Sequence, residues 1–260
     1  MKSKTLLPNL YLGTLLLITY VPIALVILYS FNVSRISSVW GGFTLRWYRD
    51  LFADRLMLDA LKNSVLLAFS SSFAAAVIGT MGAVGISRTA FALNRPIEYL
   101  STLPIMIPEI VLGMVFLAFF SLIGLPFGMM ALIAGHTTFC IPYVYMMVKA
   151  RLAGMDKSYV EAAKDLGAGE LRAFWDITLP LMRPAIVSGM LLSFAMSFDD
   201  VIISMFLADV NTNTLPIKIY TQLKTGVTPK TNALCTLMFA FTLVIGLVAF
   251  FLTSGDKYDK

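Results

Sequence analysis

Ionisable residues are scarce in this chain. Asp, Glu, Lys and Arg make up 13% of its 260 residues, against roughly 25% in an average soluble domain. Histidine occurs once, at His136, and cysteine twice, at Cys140 and Cys235. Two cysteines inside apolar runs build neither a disulfide framework nor a cysteine-based metal site. One histidine, with no paired nucleophile and base, leaves no catalytic constellation. No G-x-x-x-x-G-K-[ST] segment occurs, so ATP cannot be bound by a P-loop here and would have to be used by another chain. Long basic runs are missing too, which argues against nucleic acid despite a net charge of +5. What fills the chain instead is apolar, with 58% hydrophobic residues and a mean hydropathy of +0.81. Disordered, disulfide-scaffold and ordinary soluble-enzyme classes are excluded. The class is integral membrane protein.

A bilayer core about 30 Å thick takes about 20 apolar residues of helix. Stretches of that length with few or no charges place six spans, at residues 10–31, 63–87, 97–123, 129–148, 181–206 and 231–253. The run from Ile97 to Val148 is too long for one helix and is divided at the turn signal Gly124-Leu125-Pro126. The expected architecture is a single all-α polytopic transmembrane domain over residues 1–260. Lys2 and Lys4 give a basic start, but the apolar part that follows is longer than a signal peptide's and lacks a small-x-small site, so it reads as a retained first helix. An even number of spans puts both termini on one side. That side carries twelve Lys and Arg against eight on the other, which favours cytoplasmic termini.

The segment between spans four and five, residues 151–180, is too patterned to be a plain loop. Ser158-Tyr159-Val160-Glu161 reads as a capping box, and Gly167 stands where a helix-ending glycine belongs. A second short helix, Glu170 to Thr178, sets Leu171, Phe174 and Trp175 at helical spacing before Pro180 stops it. Such an apolar stripe either packs on its own bundle or meets a partner surface.

Glu161-Ala162-Ala163, Gly167, Ile177 and Leu179-Pro180 stand at the spacing of the EAA signature, and here the chain resembles the membrane subunits of ABC-type importers. Tyr29-Ser30-Phe31-Asn32, Arg46-Trp47-Tyr48, Gly135 to Cys140, Leu192 to Asp200, Leu215-Pro216 and Asn232-Ala233-Leu234 extend the likeness to spermidine/putrescine permeases of the PotC type. Glu109 departs from the pattern, in which an Asp is expected. The resemblance implies the six-helix permease architecture of type I importers in the bacterial cytoplasmic membrane. It implies a subunit that is not itself an enzyme and holds no cofactor, the ATP being bound by a partner. The partners it implies are a homologous PotB-type permease, two PotA-type ATPase subunits docking on a coupling helix in residues 151–180, and an extracytoplasmic PotD-type polyamine-binding protein.

Glu109, Asp199 and Asp200 fall well inside expected spans, where an acid costs about 2.5–3.5 kcal/mol and normally faces a cavity. Counted along straight helices, Glu109 lies about 18 Å and Asp199 about 24 Å from the cytoplasmic entry points. Separated carboxylates and aromatic faces suit a methylene chain carrying ammonium charges. Tyr143 and Tyr145 on span four and Phe194 and Phe198 on span five supply the aromatics. Each of these has a plainer reading, a structural hydrogen bond for an acid and helix packing for a ring. Asp200 points about 100° away from Asp199. Pro104 and Pro108 precede Glu109 and predict a kink, either a gate or a packing bend. His136 reads as a hydrogen-bonded packing residue. The rival functions are the same importer carrying ferric iron, and a gradient-driven secondary transporter.

Overall fold

The computed structural model describes residues 6–35, 39–89, 93–156 and 158–254. Lys2, Lys4, Lys157, Lys257 and Lys260, which entered the charge count, lie outside them. The elements are helical: α1 (Leu6–Tyr29), α2 (Arg46–Phe52), α3 (Arg55–Arg88), α4 (Asn94–Met106), α5 (Glu109–Leu122), α6 (Met129–Ala153), α7 (Ser158–Asp165), α8 (Glu170–Ala173), α9 (Leu179–Asp199), α10 (Ile202–Leu207), α11 (Leu215–Thr225) and α12 (Pro229–Ser254). A π-helical turn, Phe174–Thr178, joins α8 to α9. Pro8–Tyr29, Arg55–Arg88, Met129–Ala153, Glu170–Asp199 and Pro229–Val248 are each long and apolar enough to cross a bilayer, and α4 with α5, bent by 111° at their break, is either a sixth, broken span or a re-entrant loop.

Two breaks depart from straight spans. The first falls at Ile107-Pro108, both extended (ψ 131° and 133°). Proline has no N–H to continue the ladder and pushes the residue before it out of the helical region, so α4 ends there. Pro104 is absorbed inside α4. The second falls at Asp200 (ψ 127°), between α9 and α10. Pro180, by contrast, does not stop a helix. It sits in the first turn of α9, directly after the π-turn, and the helix runs on through it from Glu170 to Asp199 without a ladder bond from that residue.

The chain divides into two compact units, Met1–Asp59 with Lys218–Thr242 and Ala60–Ile217 with Leu243–Lys260. The second holds a core drawn from α3, α5, α6, α9 and α10 around Leu132, Val144, Val148, Met182, Ile203 and Leu207. In lipid, apolar surface alone does not drive helices together, so close backbone approach has to. Val144 on α6 is gripped from both sides. A Cβ on Gly79 would stand 3.0 Å from Val144 Cβ, and one on Gly189 would stand 3.0 Å from Val144 Cα. Gly189→Leu should therefore cost about 1–3 kcal/mol, read as a lower unfolding midpoint in detergent. Gly85→Ala, where nothing lies within 4 Å, should leave that midpoint unchanged or raised.

In the first unit, the motif after α1 folds back on α2. Asn32 accepts from Gly41 N (2.8 Å) through its side chain and from Trp47 Nε1 (2.7 Å) through its backbone carbonyl. Its Nδ2 donates to Val39 O at 2.8 Å, Ser30 Oγ lies 2.6 Å from Tyr48 OH, and Phe31 packs on Phe43 and Tyr48. Tyr29 to Asn32 and Arg46 to Tyr48 are thus two halves of one structural knot. Lys230 Nζ donates to Asp54 Oδ2 at 2.7 Å and holds that carboxyl below its ordinary value. A lowered carboxylate stabilises the fold above its unfolded value of roughly 3.9 and ceases to as pH falls through its lowered folded value. Asp54→Asn should cost about 0.5–1 kcal/mol at pH 7. Thermal midpoints of variant and parent should converge as the pH is taken below roughly 4.

Candidate functional site

The segment carrying the EAA pattern folds as a helical hairpin. Gly167 has φ +88°, with its N–H on Lys164 O (2.8 Å) and Ala168 N on Ala163 O (2.9 Å). This is the Schellman closure, which calls for a residue without a Cβ. The start of α7 differs from the expected capping box: Asp156 Oδ1 accepts from Ser158 N at 2.9 Å. Both residues are cap formers two positions apart, and the carboxylate prevails because it brings a full negative charge to the positive helix end. Burial pulls the hairpin's residues apart by role. Glu161, Ala162 and Gly167 are exposed, as are Leu166 (91%), Leu171 (77%) and Trp175 (61%). Ile177, Leu179 and Pro180 are half-buried, and Phe174 and Leu179 pack on the core. Of the three expected stripe residues, only Phe174 belongs to the bundle.

The hairpin is held to the bundle through Arg88, the last residue of α3. Its Nη2 donates to Thr178 Oγ1 at 2.8 Å, its Nη1 lies 3.6 Å from Glu170 Oε2, and its Cζ sits 5.5 Å from the Phe174 ring centroid. Lys164 pairs with the same Glu170, and Lys149 with Glu98. Arg88 was not legible as a site residue. It stands alone at the end of a span, and its partners lie 82 to 90 positions downstream.

The two helix breaks build the acidic site. Pro108 places Glu109 on the first turn of α5, where the helix dipole favours a negative charge. The second break leaves Asp199 at the end of α9 and makes Asp200 the cap of α10, which packs on α5. The three carboxylates lie within electrostatic reach of one another, and half-buried Tyr143 lies within reach of Glu109. The depth of Glu109 reckoned along a straight helix does not survive, because the 111° bend separates it from the run that begins at Ile97, whereas α9 reaches Asp199 unbroken. Glu109 and Asp199 are exposed, and neither has a hydrogen-bond or ion-pair partner among the described residues.

Asp200 and Phe198 are placed differently from those two. Asp200 is buried, its carboxylate accepting from Ser204 N (2.8 Å) and Ile203 N (3.3 Å) and standing 3.4 Å from His136 Nε2. Fully buried His136 reaches Ser204 Oγ (3.1 Å) with Nε2 and Ser197 Oγ (2.8 Å) with Nδ1, and Ser197 Oγ lies 3.0 Å from Ser71 Oγ. One polar hub therefore ties α3, α6, α9 and α10 together. A turn away, Ser193 Oγ donates to Cys140 O at 3.3 Å. Phe198 is 2% exposed and stacked on Phe194 (ring centroids 5.9 Å apart), a packing position. The motifs Gly135–Cys140 and Leu192–Asp200 are the two sides of this seam.

Residues 75–255 match the family described as binding-protein-dependent transport system inner membrane component. The spermidine/putrescine transport system permease protein PotC of Haemophilus influenzae is 37% identical over 98% of this chain and 100% of its own length. Its Escherichia coli K12 counterpart is 39% identical over 92% and 90%. The putrescine transport system permease protein PotI of Escherichia coli K12 is 37% identical over 93% and 88%. In fold, the chain is similar to a subunit of a bacterial ABC transporter involved in the import of the acidic polysaccharide alginate, with a TM-score of 0.75 and 16% identity over 98% and 96% of the two chains. It is also similar to a subunit of the inward-facing MetNI methionine ABC transporter, with a TM-score of 0.66 and 18% identity over 82% and 99%. The chain belongs to the binding-protein-dependent transport system inner membrane component family, as a membrane-embedded permease subunit of the PotC/PotI type.

Proposed function

We propose that this chain is one permease of an ATP-driven polyamine importer, and that the acids at its paired helix breaks line the passage. The observation that carries the substrate reading is the placement of Glu109 and Asp199 at the two helix breaks, both exposed, within electrostatic reach of each other and with no hydrogen-bond or ion-pair partner among the described residues. Broken helices at membrane depth are tolerated where they line water, and they mark binding sites in transporters. Carboxylates there attract a cation and repel an anion. Tyr143 adds a ring face beside Glu109 for cation–π contact and for the methylenes of a polyamine. Asp200 contributes long-range field and holds α10, and Phe198 packs the wall behind them. A ferric-iron importer and a gradient-driven transporter are not favoured by the relatives at 37–39% identity.

The termini face the cytoplasm in this reading, and a homologous PotB-type permease completes the passage. ATPase subunits of the PotA type grip α7 and α8 through Glu161, Ala162, Ala163 and the exposed Leu171 and Trp175. A PotD-type binding protein delivers polyamine at the other side. ATP-driven closure displaces the hairpin, and the bundle alternates its access. Proteoliposomes holding this chain alone should carry no spermidine under any ion gradient, whereas the complete importer should take it up only with ATP and binding protein. Solute flux through the single chain would defeat the ATP-driven reading. ATP-driven uptake of another cation but of neither spermidine nor putrescine would defeat the substrate reading.

A further inference from the structure

Two elements lead away from the EAA hairpin, and they differ in stiffness. The direct continuation, α9, begins behind a five-residue π-turn and carries Pro180 and Pro184 within its first two turns. Missing ladder bonds and a wide turn make that junction compliant. The other element, α3, is the longest helix at 34 residues and has no proline. It runs beside the hairpin over its last turns, where Thr80, Met81, Val84 and Gly85 border a groove with Leu171 and Phe174, and its polar and ion-pair contacts to the hairpin come from its last residue, Arg88. Between them opens a cavity of about 630 Å³, bordered by Lys149, Glu161 and Lys164 as well as by Arg88, Glu170 and Thr178. Arg88 spans that gap with three contacts, on a buried hydroxyl, a carboxylate and a ring face.

Two turns in from its other end, α3 is tied as well. Asn63 Nδ2 donates to Asn211 O (3.3 Å) and Asn213 O (3.1 Å), and Ser64 Oγ accepts from Leu215 N at 2.8 Å. Those backbone groups belong to the connection that follows α10 and to the first residue of α11, and Asp200 holds the head of α10. Midway, Ser71 meets Ser197 in the His136 hub. Ser64 and Arg88 are 24 residues apart, roughly 36 Å at 1.5 Å per residue. An unbroken, proline-free helix with polar ties at its ninth and tenth residues, its middle and its last residue moves as one piece.

We infer that α3 is the rod that carries displacement of the coupling hairpin to the α10–α11 connection, and that Arg88 is the positioning residue through which the hairpin moves it. Arg88 touches neither substrate nor nucleotide and acts through Thr178, Glu170 and Phe174. The inference rests on the reading of the chain as an ATP-coupled importer, and it predicts slippage rather than disassembly when the strut is cut. Hydrolysis continues, but fewer strokes reach the far side.

The test uses the complete importer in proteoliposomes, measuring spermidine taken up and ATP hydrolysed in the same vesicles. Arg88→Ala should lower uptake per ATP about tenfold, within the usual range of coupling between sites. Thr178→Val, which keeps the branched shape and removes the hydrogen bond, should lower it about threefold. ATPase capture by either variant should match the parent. Asn63→Ala with Ser64→Ala, at the other end, should lower the same ratio, and joined to Arg88→Ala should add little, because one broken rod cannot break twice. A proportional fall in uptake and hydrolysis, leaving the ratio intact, would overturn the inference, as would losses that multiply across the two ends. If Arg88→Ala does not assemble, the Thr178→Val ratio decides. A parent complex without ATP-driven uptake overturns the importer reading itself. A coupled parent with unaltered ratios in both Arg88→Ala and Thr178→Val overturns only the rod.

Discussion

Glu109→Gln combined with Asp199→Asn should depress spermidine uptake roughly a hundredfold, with assembly and ATP hydrolysis preserved. A hydrogen bond to a charged group contributes about 1.5–3 kcal/mol, so losing two such contacts to ammonium groups costs about 3 kcal/mol at the low end, which is over a hundredfold. The fold should not suffer, since both side chains are exposed and neither holds a described partner. The amides preserve size, remove the charge and replace one acceptor oxygen with an NH2 that cannot accept from an ammonium group. Asp200→Asn supplies the contrast. Its carboxylate accepts two backbone N–H groups at the head of α10 beside a buried histidine. An amide there accepts through one oxygen only, so the loss should fall on stability, about 1–3 kcal/mol. Uptake measured alongside the detergent unfolding midpoint separates the two cases. Unchanged uptake in the double variant would remove the carboxylates from the passage.

The apolar helical pattern was legible because lipid imposes it: the gaps between charges are long and their backbone must be helical, though two of the expected spans are each broken into a pair of helices. Pro108 likewise announced a break, since a missing N–H and a constrained preceding residue are local facts. Its angle was not local. How far α5 turns from α4 is decided by what α5 packs against, namely α10, whose Phe206 ring stands 2.5 Å from where a Gly113 Cβ would be. The same distinction runs through the hairpin. Gly167 was legible because its positive φ is a property of one residue, while Pro180 was misjudged because proline in a first turn and proline after a last turn look alike in a sequence. Motif residues were legible as a set and not by role. Asp200 and Asp199 are adjacent, yet one is buried in a hub and the other exposed. Arg88 left no local mark at all, and only the fold discloses what it touches.

Gly167→Pro should abolish capture of the ATPase subunits while leaving every contacting side chain in place. Proline fixes φ near −65° and lacks an N–H, whereas Gly167 sits at +88° and donates to Lys164 O. The turn cannot close, so α7 is re-aimed relative to α8 and the exposed Leu166, Leu171 and Trp175 no longer present one face. The expected local cost is about 3 kcal/mol, confined to a hairpin whose helix α7 has no buried residue, so membrane insertion and the bundle's unfolding midpoint should hold. Glu161→Lys probes the same surface by charge alone. It places a cation at the positive end of α7, a penalty of about 0.3–1 kcal/mol within the chain, and should nonetheless prevent capture if the ATPase groove is matched to an acid. Leu171→Ala with Trp175→Ala removes the apolar anchors, and a buried interface tryptophan alone costs about 2 kcal/mol or more, roughly thirtyfold in affinity. The three variants separate geometry, charge and apolar contact at a surface the bundle itself leaves uncovered. Co-purification that survived both Gly167→Pro and Glu161→Lys would mean that the motor grips the chain somewhere else.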